Sequence, residues 1–229
     1  MKNIFRILFL TLCGAHFAHA DFARGSQTIA ILGGAGGSSE QYDFRGPEDR
    51  PITGSGAAWG AQYLYYLSPS IAIGADLNVS YNGSRRDDDQ IADIDTTARS
   101  KAVTEMIIAR LAYPRGRVRP YLFAGLGAHQ SSFFLSGKPF PGTTWSNGGT
   151  DSRMLIDEHD TSLALAGGIG LDVFLTESLF LGTELRSTTL GGTKPDISPA
   201  GQALGLTLKH RHGASEGNIF FKLGWKFGA

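Results

Sequence analysis

The fold of this chain is indicated by its C-terminal stretch, Gly217-Asn218-Ile219-Phe220-Phe221-Lys222-Leu223-Gly224-Trp225-Lys226-Phe227-Gly228-Ala229. One parity carries Ile219, Phe221, Leu223, Trp225 and Phe227, and the other carries Asn218, Lys222, Gly224 and Lys226. A period of two predicts a β-strand with one apolar and one polar face. An edge strand this apolar would aggregate unless its edge were paired. The stretch therefore favours a closed barrel whose apolar face contacts lipid.

The N-terminal 20 residues are predicted to be a signal peptide, which takes no part in the fold. Two basic residues precede the apolar run Ile7–Cys13, and Ala18-His19-Ala20 supplies a small-x-small cleavage site. The apolar run is too short for a transmembrane helix, which needs about 20 residues. Leu12 is too large for the position before a lipidated cysteine. We expect cleavage after Ala20 and a barrel domain spanning residues 21–229.

The composition excludes several classes of protein. The predicted mature chain has no cysteine and therefore no disulfide, although it enters an oxidising compartment. It has 19 basic and 21 acidic residues, a formal charge of −2 that gives no support to nucleic-acid binding. No helical period occurs in it, and the 31 glycines of the full chain are unusual for a helical protein. A single all-β domain is the simplest interpretation.

Eight segments are predicted as strands, and the connections between them alternate in length. The segments are Ser26–Gly36, Ser55–Leu67, Ile71–Asn82, Ser100–Tyr113, Arg119–Leu135, Thr161–Leu175, Leu179–Thr189 and Gly217–Ala229. Short turns join the second to the third, the fourth to the fifth and the sixth to the seventh. Polar spacers at 37–54, 83–99, 136–158 and 190–215 are predicted as long loops. This alternation predicts an eight-stranded antiparallel up-and-down transmembrane β-barrel with both termini at the short-turn end.

Two motifs carry a resemblance to a known family. Arg119-Pro120-Tyr121-Leu122-Phe123-Ala124-Gly125-Leu126-Gly127 is similar to a strand motif of the OmpA-type outer-membrane β-barrels, the small eight-stranded barrels that include opacity-like proteins. Leu223, Trp225 and Phe227 resemble the assembly signal of that family, an alternating aromatic strand. The resemblance implies location in the outer membrane of a Gram-negative bacterium. It also implies contact with outer-membrane lipid, lipopolysaccharide and the outer-membrane assembly machinery.

Charged side chains on the inward parities are the main candidate site. These are Asp76, Arg110, Asp172, Glu184, Arg186, Lys222 and Lys226. Unpaired charges in a low-dielectric interior are costly, so we expect them to form a salt-bridge network that closes the lumen. The alternative is a narrow pore or a lateral gate for small or apolar solutes, which Phe174 and Phe220 on inward parity would favour.

Other candidate chemistry in the sequence is weaker. His129-Gln130-Ser131 with Ser215-Glu216 could form a set for acyl-ester cleavage. Barrels that deacylate lipid A carry a His-x-Ser pair on the seventh strand, whereas this chain has Glu184-Leu185-Arg186-Ser187-Thr188 there. We therefore expect no enzyme and no cofactor. The acidic run Asp87-Asp88-Asp89 with Asp93 and Asp95 lacks calcium-loop spacing, and His210-Arg211-His212 has no third metal ligand.

The sequence thus predicts a small outer-membrane barrel with a structural or surface role. Its loops would contribute adhesion or envelope integrity, with a host or surface ligand as a possible partner. Aromatic residues near the strand ends are predicted to anchor the barrel at the headgroup level. These are Tyr63, Tyr65, Tyr81, Phe133, Phe134, Trp225 and Phe227.

Overall fold

The computed structural model describes residues 21–42, 50–88, 94–139, 141–145, 148–191 and 215–228, so the predicted signal peptide lies outside the described residues. The strands are β1 (Gln27–Tyr42), β2 (Arg50–Tyr66), β3 (Ile71–Asp88), β4 (Ile94–Ala112), β5 (Val118–Pro139), β6 (Arg153–Phe174), β7 (Leu179–Leu190) and β8 (Ser215–Phe227). Each pairs antiparallel with its chain neighbours, and β1 pairs with β8 to close the ring. The predicted eight-stranded antiparallel barrel is confirmed. The described part contains no helix long and apolar enough to cross a membrane.

The strands extend farther towards the long-loop end than the sequence predicted. Much of the predicted loops 37–54, 83–99 and 136–158 is strand, so these predictions were wrong in extent. β5 and β6 have 22 residues each, whereas a transmembrane strand needs only about 9–11. Apolar alternation marks only the part of a strand that faces lipid. Beyond it the backbone ladder continues without that signal.

The outward face of the barrel is strongly apolar. Large hydrophobic side chains lie fully on the surface, among them Ile107 at 75% and Phe221 at 67% exposure. Trp59 and Tyr81 stack with ring centroids 5.0 Å apart on this face. Phe133, predicted as a boundary anchor, is instead buried in the lumen at 5% exposure, because it and Phe134 point to opposite faces of β5. An apolar surface of this extent is expected to face hydrocarbon.

Two of the short turns use the same hydroxyl contact. In the β2–β3 turn, Ser68 Oγ accepts a hydrogen bond from the Ile71 amide at 3.1 Å. In the β6–β7 turn, Thr176 Oγ1 accepts one from the Leu179 amide at 2.9 Å. The β4–β5 turn relies on Gly116, whose φ of 93° is a left-handed conformation that favours glycine. These local interactions help to fix the strand register at the short-turn end of the barrel.

Glycines on the inner wall leave room for large side chains. The Tyr121 side chain lies against Gly170, where a Cβ atom would overlap its hydroxyl. The Phe180 ring lies against Gly224 in the same way. The lumen is therefore filled by side chains, as expected for a barrel of eight strands.

Candidate functional site

A network of charged side chains crosses the middle of the lumen. Arg186 on β7 forms a two-pronged ion pair with Asp76 on β3, with Nη1 to Oδ1 at 2.6 Å and Nη2 to Oδ2 at 2.8 Å. Its Nη2 also lies 2.7 Å from Glu184 Oε1. These three side chains are at most 1% exposed. A bidentate arginine pair of this kind combines charge with fixed geometry.

Glu184 is the centre of the network. Its Oε1 accepts from Arg186, and its Oε2 accepts a 2.8 Å hydrogen bond from the Tyr121 hydroxyl. Lys222 Nζ lies 3.6 Å from Glu184 Oε2 and 2.9 Å from Asp172 Oδ1. One carboxylate thus joins residues from three strands, and it is fully buried.

Arg110 completes the ring of charges from β4. Its Nη1 donates to Asp172 Oδ2 at 2.8 Å, and its Nη2 donates to Gln62 Oε1 at 2.7 Å. Gln62 Nε2 in turn donates to Asp76 Oδ2 at 3.0 Å. The described network therefore balances three cations against three carboxylates. Such balance is what makes buried charge tolerable.

The sequence did not identify Gln62 and Tyr121 as members of this network. Gln62 bridges Arg110 to Asp76, and Tyr121 lies under both the Arg110 guanidinium (3.7 Å to the ring centroid) and the Lys222 ammonium (4.3 Å). Both residues lie on the inward parity of their strands, which was the available signal. Neither residue is charged, so the inward charged positions of the sequence do not include them.

Lys226 does not join the interior carboxylates, contrary to the prediction. Its Nζ donates to the Asp21 carbonyl oxygen at 2.6 Å and lies 5.1 Å from the centroid of the Phe22 ring. It occupies the last inward position of β8, below the carboxylates, so its side chain ends at the mouth of the barrel. Lys226 lies on the inward face of β8, as predicted. Its position along the barrel axis, however, places its ammonium beside the Asp21 carbonyl and not beside the interior carboxylates.

An aromatic layer lies between the charge network and the short-turn mouth. Phe22 packs on Tyr66 with ring centroids 4.3 Å apart and on Phe174 at 5.5 Å, and Phe174 contacts Phe180 at 5.1 Å. The Arg119 guanidinium lies 3.6 Å from the Phe22 ring centroid. All these residues are at most 5% exposed. The segment before β1 thus fills the mouth, and Phe174 is part of this layer.

The lumen on the long-loop side is polar. The buried amides and hydroxyls there include Asn78, Ser80, Asn82, Thr104, Thr188 and Asn218. Oδ1 of Asn78, Oγ of Ser80 and Oε1 of Glu216 find no hydrogen-bond partner among the residues that the structure describes. Buried polar atoms are normally satisfied by water when the protein does not satisfy them. This part of the lumen therefore has the chemistry of a hydrated vestibule.

The proposed acyl-ester set on β5 and β8 does not have the required placement. His129 is buried in the lumen, where its Nδ1 lies 2.8 Å from Thr104 Oγ1. Glu216 is also buried, whereas Ser215 faces outward. An outward serine on β8 and an inward histidine on β5 lie on opposite faces of the wall. Ser215 and His129 are therefore not arranged as a catalytic pair.

A different Ser-His-Asp cluster lies on the outer face, above the apolar belt. Ser132 on β5 is directly opposite His159 on β6, and Ser132 Oγ lies 2.9 Å from His159 Nδ1. Asp157 Oδ1 lies 3.4 Å from His159 Nε2, and Phe134 packs edge-on against the imidazole. The histidine and aspartate side chains are 68% and 50% exposed. These residue types could support nucleophilic chemistry if lipid excluded water from them.

Candidate metal ligands are limited by what the structure describes. Across the described ranges, no group of three or more His, Cys, Asp or Glu side chains is arranged to hold a metal ion. The side chains of Asp87, Asp88, Asp89, Asp93 and Asp95 lie outside the described residues. So does the segment His210-Arg211-His212, and both interpretations stay predictions.

Comparison with known proteins identifies the family. The family model described as outer membrane protein beta-barrel domain matches residues 6–211. No curated protein matches the sequence significantly. OprG, an outer membrane protein from Pseudomonas aeruginosa, has a similar fold, with a TM-score of 0.54 and 16% identity over 92% of this chain and 99% of its own.

Two further solved structures have lower similarity. The outer membrane protease OmpT from Escherichia coli has a TM-score of 0.47 and 12% identity, covering 89% of this chain and 96% of its own. Neisserial surface protein A has a TM-score of 0.45 and 15% identity, covering 87% of this chain and 97% of its own. The likeness to OprG supports the fold alone, and the family match supports the location. This chain belongs to the outer membrane protein beta-barrel domain family, and it is a small eight-stranded barrel of the bacterial outer membrane.

Proposed function

We propose that this protein is a closed scaffold whose function lies at the outer surface of the cell, as an adhesion or envelope-integrity protein. The observation that carries the proposal is the double closure of the lumen. The charge network fills its middle, and the aromatic layer around Phe22 fills its short-turn mouth. A solute would have to displace both layers, so the walls and rim are the surfaces left for function.

The long-loop ends of the strands support a surface role. β5 and β6 are about twice as long as a membrane crossing requires, so their outer halves extend beyond the lipid. A stiff β-rim presents its side chains and loops at a fixed distance from the membrane, which suits recognition of a host or surface ligand. The lipid and lipopolysaccharide around the barrel, together with the assembly machinery, are its other proposed partners.

Trimming the outer hairpins tests the surface role. A deletion strain would be complemented with wild type or with a variant in which residues 84–98 and 136–152 are each replaced by Asn-Gly. We expect adhesion to host matrix to be lost while the trimmed protein still shows the heat-dependent gel shift of a folded barrel. Detergent sensitivity of the same strains separates the two surface roles, because a purely structural barrel would protect cells without its hairpins.

Planar-bilayer conductance tests the closed lumen. We expect the refolded wild type to show no steady conductance above the bilayer background. A stable open channel would contradict the proposal and favour the narrow pore. Solute uptake by the trimmed strain provides a further comparison. If that strain adheres normally but takes up less solute, the narrow pore is favoured.

The Ser132–His159–Asp157 cluster supports a second candidate function, hydrolysis of lipid acyl esters at the outer leaflet. Ser132 Oγ would attack the ester carbonyl, His159 would take its proton and pass it to the departing alcohol, and water would release the fatty acid. Mass spectrometry of lipid A from strains carrying wild type, Ser132→Ala or Ser131→Ala tests this. Hydrolysis predicts loss of an acyl chain that Ser132→Ala alone abolishes, whereas the scaffold role predicts identical masses.

A further inference from the structure

A carboxylate lies on the lipid-facing wall of the barrel. Glu105 is an outward residue of β4, exposed, with Leu77 of β3 on one side and Ala128 of β5 on the other. The adjacent outward positions on its strand are Val103 and Ile107. Glu105 makes no hydrogen bond or ion pair with any of the described residues. An ionisable residue in this setting is a candidate functional group, because an unpaired charge in hydrocarbon is costly.

The register places Glu105 inside the apolar belt. Lys101, four residues nearer the outer end of β4, pairs with Tyr81, whose ring stacks on Trp59. This aromatic pair marks the outer boundary of the belt. Four residues correspond to about 13 Å along a strand, or about 10 Å in depth at the usual tilt. The Lys101 ammonium lies 5.5 Å from the Tyr81 ring centroid, so this cation is placed at the aromatic boundary.

The Glu105 side chain lies in a groove of the outer wall, with a volume of about 820 Å³. Small residues form its floor, since Ala61, Ala75 and Ala128 alternate with larger neighbours. These positions follow one hydrogen-bonded row, in which Ala61 pairs with Leu77, Leu77 with Glu105, and Glu105 with Ala128. Glu105 is the one charged group among the outward side chains that line the groove in the described residues. The groove is therefore an apolar surface with a single carboxylate that can bind a cation.

A second copy of this chain is a poor occupant for the groove. Two copies in one membrane share their orientation, so a two-fold axis along the membrane normal would place both Glu105 side chains at the same depth. The two carboxylates would then face each other, and like charges repel strongly in a low-dielectric setting. The chemistry instead calls for a cation attached to an apolar body.

We propose that the Glu105 groove is a binding site for a cationic amphiphile. The alkyl chain lies along the floor of small residues, and a protonated amine donates a charge-assisted hydrogen bond to the Glu105 carboxylate. The complex neutralises the charge of both partners within the hydrocarbon at once. This site is independent of the lumen and of the outer rim, so it goes beyond the proposed surface role.

Binding of radiolabelled dodecylamine to refolded full-length protein in phosphatidylcholine vesicles tests the site, with protein-free vesicles as the reference for partition. We expect saturable binding to wild type and at least about tenfold weaker binding to Glu105→Gln, the change expected for loss of a hydrogen bond to a charged group. Glu177→Gln, the same change at an exposed turn, should bind as wild type. Dodecanol should show no difference between the variants.

A groove-filling variant tests the shape separately from the charge. Ala128→Leu should weaken dodecylamine binding, whereas Ala109→Leu, on the same face but outside the groove, should not. Equal dodecylamine binding by wild type and Glu105→Gln would overturn the proposal. So would crosslinked dimers that depend on Glu105, which would show that a second copy occupies the groove.

Discussion

Arg186 binds Asp76 across the full width of the barrel. β3 and β7 are four strands apart in a ring of eight, so this pair joins opposite walls. Both side chains are buried, and Gln62 and Glu184 hold the two ends of the pair through further hydrogen bonds. The pair therefore connects opposite walls of the barrel, and its removal should lower the stability of the whole ring and not of one hairpin alone.

Replacing Asp76 by Asn should destabilise the barrel by about 3–5 kcal/mol, because the buried network is left with three cations against two carboxylates. The free energy of unfolding in urea, measured for refolded protein in vesicles, checks this. Asp157→Asn, at an exposed contact with His159, should change stability by less than about 1 kcal/mol.

The double variant Asp76→Asn with Arg186→Gln gives the sharper comparison. It keeps the remaining charges balanced, since Arg110 and Lys222 still face Asp172 and Glu184. We expect it to be more stable than Asp76→Asn alone. If the changes in unfolding free energy of the two single variants simply added, the Arg186–Asp76 pair would have no coupling energy. The argument from charge balance would then fail.

Opening the lumen should require changes in both layers. Glu184→Ala removes the centre of the charge network but leaves the aromatic layer in place, so we expect no steady conductance in a planar bilayer. Combining it with Phe174→Ala and Phe180→Ala should produce a conducting state, because two of the four rings of the aromatic layer are then removed. Steady conductance of Glu184→Ala alone would show that the aromatic layer is no barrier.

Close approach of Phe180 makes Gly224 sensitive to any side chain. A Cβ added at Gly224 would overlap the Phe180 ring, whereas one added at Gly33 meets nothing within 4 Å. We expect Gly224→Ala to cost about 1–3 kcal/mol of unfolding free energy through overpacking, and Gly33→Ala to be close to neutral. Urea unfolding of the two variants side by side would settle the contrast, and equal effects would contradict it.

The last strand is proposed to act as the assembly signal. Trp225 and Phe227 face outward at the short-turn end, and neither contributes to the charge network. Trp225→Ala should lose about 2 kcal/mol of apolar burial in the membrane and slow insertion. The rate of appearance of the heat-sensitive gel form measures this. Lys226→Ala, a neighbouring inward residue, should insert at the wild-type rate if the outward aromatics carry the signal.

The sequence predicted the architecture well where one face of each strand touches lipid. The alternation in Ile71–Asn82 and in the last strand, with the order of short and long connections, was enough to predict eight antiparallel strands and their closure. Prediction failed outside the lipid, as at the outer ends of β5 and β6. No face needs to be apolar there, so the pattern disappears although the hydrogen bonds continue.

The sequence predicted which side chains face the lumen, but it did not predict which of them contact each other there. Parity placed Asp76, Glu184 and Lys222 inside, because alternate side chains of a strand must face opposite sides of the wall. It could not place Lys226 at the mouth beside Asp21, nor bring Tyr121 under two cations. Heights in a barrel depend on how far each strand is shifted against its neighbour, and that shift is a property of the closed ring.

The sequence by itself thus determined the alternation of inward and outward residues along most strands, and with it the barrel, its membrane belt and its charged lumen. Only the tertiary structure decided which residues meet across the lumen and on the outer wall: Arg186 with Asp76, Ser132 with His159, and Glu105 with a row of alanines. The physical reason is that alternation is local, repeating every two residues along one strand. Contacts between strands follow from the register and closure of all eight.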